Sequence, residues 1–288
     1  MNNSFVNQTL LQVLNGLTFG GLLFMIASGF TLIFGLMRVV NMSHGAFYLL
    51  AGYIGYAVQK QTGSWVLAIV VGTISLGLTA LLLQRLINIV KGDLPQTLLT
   101  LGIALAISDL CLWIWGGIPI TLTAPSQLKT LVNFQIVQFP GFRLFVLGLA
   151  IAVSLGLWLL LYRTQFGRII RAGVDNREMV SALGINIDIL FVVVFFLGGL
   201  LIGLAGTIGG SYLAFGPGTD FNMLTFALVV VIIGGMGSLE GSAISAVLVG
   251  LIDSFGRTYL AGASIFLLSG TLLVVLAFRP QGLFGRPQ

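Results

Sequence analysis

Charged residues are scarce in this chain: 13 Lys and Arg and 8 Asp and Glu among 288 residues, or 7%. A soluble domain carries roughly 25%, so these few charges cannot cover a 30.6 kDa chain with a water-facing surface. Cysteine is scarcer still. Cys111 stands alone, which excludes an intramolecular disulfide, and its place inside an apolar run marks it as packing. His44 is the only histidine, which excludes a Cys/His metal cluster; neither a metal nor a cofactor is expected. A phosphate-binding Gly-Lys loop and a Ser/His/Asp set are also missing, so nucleotide hydrolysis and triad chemistry belong to other chains. No basic residue precedes the first apolar run. The first is Arg38, after it, so that run reads as a retained membrane segment rather than a secretory signal.

What the chain has in quantity is apolar surface. It is 57% hydrophobic, with a mean hydropathy of +1.08, and lipid is its solvent. Apolar runs lie near 8–30, 44–58, 65–84, 97–115, 142–162, 189–212, 222–237, 242–256 and 262–278. The fold class is therefore all-α: a polytopic membrane helical bundle of eight or nine transmembrane helices, some broken or short, in one domain over 1–288. The first run can continue as a short broken helix through 31–40. The pair 222–237 and 242–256 is split only by a glycine-rich stretch and fits either two crossings or one crossing plus a re-entrant piece. Glycine is abundant, at 39 residues. Gly16/Gly20, Gly199/Gly203, Gly206/Gly210 and Gly237/Gly241 have the small-xxx-small spacing that lets helix backbones approach closely in lipid.

The net charge of +5 does not imply a nucleic-acid partner, because its placement follows topology. With the polar insert 163–188 in the cytoplasm and nine crossings, the inside receives Arg38, Arg85, Lys91, Arg163, Arg168, Arg171, Arg177, Arg279 and Arg286. The outside receives only Lys60, Lys129, Arg143 and Arg257. This is the bias that sets orientation. It puts the N-terminus outside, the C-terminus in the cytoplasm and the loop 116–141 outside. "VNFQIVQF" within that loop is a candidate short strand.

The insert "TQFGRIIRAGVDNREMVSALGIN", 164–186, concentrates Arg168, Arg171, Asp175, Arg177 and Glu178. Phe166, Ile169, Ile170, Gly173 and Val174 share one face of a helix over 164–174. Asp175 and Glu178 have capping-box spacing for a second helix. Met179, Val180 and Leu183 give that helix an apolar face, and Gly184 is placed to end it. One reading is an interfacial helix pair anchoring the loop to anionic membrane lipid. The other is a docking element for a cytoplasmic partner, whose groove takes the apolar faces while the charges set orientation.

Four stretches carry a family resemblance. The insert is similar to the cytoplasmic coupling loop of ABC-importer permeases of the branched-chain amino-acid (LIV) type. "GLMRVVNMSHGAFYLLAGY" (35–53) resembles that family's N-terminal signature, Gly–x–x–x–x–x–Asn–x–x–His–Gly. "VVIIGGMGSLEGSAISAVLVGLID" (230–253) resembles its glycine-rich motif, and "FRPQGLFG" (278–285) its C-terminal tail. All four occur in order, and the chain is most similar to the smaller, H-type subunit. The resemblance implies a transport subunit of the bacterial inner membrane without catalysis of its own. Its implied partners are a second permease subunit, two cytoplasmic ATPases and an extracytoplasmic substrate-binding protein. Coupling to the ATPase then falls to Phe166, Gly167, Arg168, Arg171, Asp175, Asn176, Glu178, Leu183 and Gly184. Related permeases for urea, short amides and sugars share much of this pattern, so substrate is left open among them.

Other polar residues carry two readings each. Asn41 and His44 are either pathway groups or caps that orient a broken helix. Asp109, inside an apolar run, either lines the pathway, where it meets a substrate ammonium group, or bonds a neighbouring helix. Asp253 and Arg257 are spaced to pair on one helix. Glu240 suits a broken-helix turn, "SYLAFGPGTDF" (211–221) a connector, and the tail a topological anchor. A stand-alone secondary transporter would show more intramembrane acids and paired repeats. A membrane enzyme would show a titratable cluster.

Overall fold

A computed structural model describes residues 2–133, 137–260 and 264–285. The helices are α1 (Asn2–Met37), α2 (His44–Thr62), α3 (Trp65–Ile89), α4 (Asp93–Trp115), α5 (Gly141–Arg163), α6 (Gln165–Asp175), α7 (Arg177–Ala182), α8 (Ile187–Tyr212), α9 (Thr219–Gly234), α10 (Leu239–Tyr259) and α11 (Ser264–Phe278). Six of them, α1, α3, α4, α5, α8 and α10, are long and apolar enough to cross a membrane, and α9 and α11 are shorter apolar helices. The chain is a polytopic helical membrane bundle. Each apolar run is represented by a helix, and the polar insert forms the short pair α6 and α7. Strands β1 (Leu131–Asn133) and β2 (Gln138–Pro140) pair antiparallel, with Val132 opposite Phe139. The middle of the expected strand, 134–136, lies outside the described residues.

Glycine sets the closest helix contacts. On α1, a methyl group at Gly20 would lie 2.7 Å from the Ala246 carbonyl oxygen, and one at Gly250 of α10 would lie 2.3 Å from that of Gly16. Gly199 and Gly203 of α8 seat in the same way against the backbone of α3 at Leu76 and Thr73. These pairs act as the sequence spacing predicts. The Gly237/Gly241 pair does not: Gly237 sits in the turn between α9 and α10, with φ at 88°. A turn is needed there because the two helices double back, so that Ser245 Oγ on α10 donates to Val230 O on α9 at 2.6 Å.

Two expectations are corrected here. α1 does not break after residue 30; it runs unbroken to Met37. The interruption falls at Arg38, whose φ of 57° is the only positive value among the described non-glycine residues. The chain then turns back into the bundle. His44 Nε2 lies 2.9 Å from the carbonyl of Ile26, roughly 16 Å before the end of α1 at 1.5 Å per residue. Irregular backbone at such depth must find partners within the protein. The Thr100 hydroxyl accepts from Met42 N–H at 3.0 Å, and Asn41 Oδ1 accepts from Ser43 N–H and Oγ–H.

The second correction concerns the tail. Pro280 does follow the end of α11, but the residues beyond it do more than hold a terminus at the interface. Leu283 N–H donates to Ile233 O at 2.8 Å and Phe284 N–H to Gly234 O at 3.0 Å. The last turn of a helix has carbonyls with no internal donor; here the tail supplies two of them. Gly282 turns the chain with φ at 79° and lies so close that a methyl group there would be 2.5 Å from Gly235 N.

The connector 211–221 is also more than a link. Phe215 is buried against Gly52, Tyr53 and Gly210, and its backbone bonds Ile120 in both directions. Two predictions hold without change: Asp253 and Arg257 pair at 2.8 Å, and Cys111 is fully buried.

Candidate functional site

The insert closes one end of the bundle. Thr164 caps α6, its hydroxyl accepting from Gly167 N–H at 3.0 Å. Gly167 lets α6 fold back tightly on α5: a methyl group there would lie 2.2 Å from Leu160 O and 2.4 Å from Leu161 Cα. The apolar stripe of α6 is thereby turned inward. Ile170 is buried, Phe166 and Ile169 pack partly buried on the core, and Gly173 faces Leu36 and Leu190. That face is spent on this chain's own bundle and is not free for a partner. The reason is local, since α5 ends one residue before α6 begins and the nearest apolar surface is its own.

The second helix starts one residue later than the capping-box spacing predicts. Asp175 is the last residue of α6, and Asn176 is the cap, its Oδ1 accepting from Met179 N–H at 3.0 Å. Asn and Asp cap equally well; the extended backbone falls on Asn176 because α6 retains Asp175. α7 ends as expected at Gly184, with φ at 80°. Gly184 N–H bonds Ser181 O and Ile185 N–H bonds Val180 O, the paired bonds of a Schellman end. Its apolar residues divide. Val180 is buried, whereas Met179 and Leu183 are 59% and 72% exposed. Glu178 and Arg168 are exposed on the same insert, with Asn176 beside them.

Arg171 is partly buried, its guanidinium 4.4 Å from the Tyr162 ring centroid, a cation–π contact. Both line a cavity of about 960 Å³ between the end of α1, the insert, the α9–α10 turn and the tail. Arg38, Asp175 and Glu240 reach it too. Glu240 lies in the first turn of α10, a helix capped by Ser238 Oγ on Gly241 N–H at 3.0 Å. The glycine motif thus builds the turn, and the acid stands exposed beside it.

The three pathway candidates do not form one site. Asn41 and His44 are buried where the chain re-enters the bundle, and their hydrogen bonds orient α2. Each keeps one polar atom, Asn41 Nδ2 and His44 Nδ1, without a partner among the described residues. Asp109 lies on α4 and is exposed, with no hydrogen bond to another helix among the described residues. Sequence reasoning missed Asp220. It appeared inside a connector, but it occupies the first turn of α9, 9% exposed, and accepts from Ser108 Oγ at 2.6 Å. An acid directly before an apolar run was the available signal, since acids favour the first turn of a helix.

The family model described as "Branched-chain amino acid transport system / permease component" matches residues 12–277. The chain is similar to the high-affinity branched-chain amino acid transport system permease protein BraD of Pseudomonas aeruginosa, at 26% identity over 96% of each chain. It is similar to the corresponding LivH of Escherichia coli at 24%, again over 96% of each. The autoinducer 2 import system permease protein LsrC of Yersinia pestis is 30% identical over 81% of this chain and 66% of its own. No solved structure matches.

Proposed function

This chain belongs to the family of branched-chain amino acid transport system permeases, and from that premise we propose that it forms half of the transmembrane pathway of an ATP-driven importer for branched-chain amino acids. The observation that carries the coupling role is α7: a short helix fixed at both ends that holds Met179 and Leu183 out of the bundle. Exposed apolar side chains framed by charges suit a groove on another protein. The partner is a cytoplasmic ATPase, one of two. A second permease subunit completes the pathway, and an extracytoplasmic binding protein delivers the ligand. Two relatives similar over nearly their full length are named for branched-chain amino acids, which favours these over urea, short amides or sugars. A strain lacking the gene should lose uptake of labelled leucine and regain it on complementation. Restored uptake of only urea or ribose would overturn the substrate.

The orientation is part of the same proposal. Arg38, Arg171 and the tail share one end of the bundle with the insert, while Arg143 meets Asn15 at the other. The basic bias then puts the insert in the cytoplasm of a bacterial inner-membrane protein. Cysteines at Gln127 and Ser181, in a Cys111→Ala background, are expected to react from opposite sides. Labelling of the Ser181→Cys protein by an impermeant reagent applied to intact spheroplasts would reverse the topology.

A further inference from the structure

The flank of α5 changes character along its length. Ile151, Leu155 and Leu159 are all exposed, at the i, i+4 spacing that sets residues on one helix face. Trp158 and Tyr162 are exposed on the same flank, and Arg163 is the last residue of the helix. From Ile151 to Tyr162 the axis rises about 16 Å, half of a hydrocarbon core of about 30 Å. Aliphatic, then aromatic, then basic is the order in which a leaflet passes from acyl chain to headgroup. The aromatic and basic side chains form one row. Arg163 lies over the Trp158 ring at 5.7 Å, Trp158 and Tyr162 stack at 5.9 Å, and Arg171 of α6 lies over Tyr162 at 4.4 Å. A guanidinium stacked by its face keeps in-plane N–H donors for a second ligand. Neither Arg163 nor Arg171 has an ion-pair partner; Asp253 and Arg257 make the one such pair among the described residues. The acid nearest the row is Glu240, which reaches the Tyr162 hydroxyl together with Arg171. Arg171 Nε is buried without a partner among the described residues, and such donors normally find one. Arg143, the third arginine over a ring, already meets Asn15.

We propose that this flank is a binding site for an anionic phospholipid. The headgroup meets the guanidiniums of Arg163 and Arg171, the glycerol region lies against Trp158 and Tyr162, and an acyl chain runs along Leu159, Leu155 and Ile151. A free anion would use the guanidiniums but has nothing to lay on the aliphatic face, so the occupant is a lipid. The two arginines come from different helices, and the headgroup therefore ties α6 to α5 at the corner that carries α7. The site depends on the membrane fold alone. It stands whichever end of the bundle is cytoplasmic and whatever the substrate.

The test is fluorescence quenching in the assembled complex, held in phosphatidylcholine nanodiscs doped with a brominated lipid. The Trp158 signal is the difference between the wild-type complex and its Trp158→Phe variant. Brominated phosphatidylglycerol should quench that signal roughly fivefold more strongly, mole for mole, than brominated phosphatidylcholine, the factor that one arginine near an anionic headgroup contributes. The preference should vanish in the double variant Arg163→Gln/Arg171→Gln. It should persist in Arg85→Gln, which removes an exposed cation outside the row. Equal quenching by the two lipids overturns the site, because bulk lipid alone then covers the flank. Absence of quenching by either lipid also overturns it and makes the flank a seam with another protein chain. So does a preference that survives the double variant. If the double variant does not assemble, Arg163→Gln alone, at the exposed end of α5, decides by the same measure.

Discussion

Leu183→Asp is expected to lower substrate-stimulated ATP hydrolysis of the reconstituted complex by at least tenfold and to weaken copurification of the ATPase. Leu183 stands 72% exposed at the end of α7, so the substitution leaves this chain's own core intact. Burying a large aliphatic side chain in a partner's groove is worth about 1.5–3 kcal/mol, a factor of roughly 10 to 150. Arg168→Gln, which removes an exposed charge, is expected to cost about 0–1 kcal/mol, or at most about fivefold. Gly184→Val should also impair coupling, for a different reason. A side chain there meets open space, but the backbone φ of 80° is one that β-branched residues rarely adopt. If Leu183→Asp and Gly184→Val both retain stimulated hydrolysis and copurification, the insert is not the coupling element and the lipid-anchor reading takes its place.

Gly45→Val is expected to have the largest effect on the bundle itself. A methyl group at this position would lie 2.1 Å from the carbonyl oxygen of Asp220 and 2.8 Å from Leu224 Cβ. The first obstacle is backbone, so no rotamer relieves it, and the start of α2 must part from the start of α9. Overpacking of this kind costs about 1–3 kcal/mol and more where nothing gives way. Folded protein recovered from solubilised membranes should fall severalfold, and any remainder should melt well below wild type. Gly148→Val on the exposed flank of α5, where nothing lies within 4 Å, is the control and should behave as wild type. A normal yield and melting temperature for Gly45→Val would show that the α2–α9 contact yields without cost.

The long helices were legible because a membrane span needs about twenty apolar residues, and hydropathy records length directly. Which faces pack was not legible. α3, α4 and α5 carry apolar residues on every side, so periodicity does not distinguish the buried Leu76 from the exposed Leu78, or mark Ser108 as facing inward and Asp109 outward. The insert is the reverse case. Its amphipathicity identified the apolar face of α6 correctly, but not the surface that face would meet, and this chain's own Leu36 and Leu190 meet it. Asp220 escaped notice because α9 begins right after the glycines and proline of "FGPGTDF", which read as a loop. The tail's bonds to α9 join residues far apart in sequence, and no local pattern reports such a pairing.

Those last bonds also have an order in time. The carbonyls of Ile233 and Gly234 find their donors at Leu283 and Phe284, so the end of α9 is synthesised early and closed late. Until α10, α11 and the turn at Gly282 have followed, that end must be served by water or by another protein. Closing the bundle at the insert's end is therefore among the last acts of its assembly. The cavity beneath the insert takes its final shape only when the tail folds back against the glycine turn.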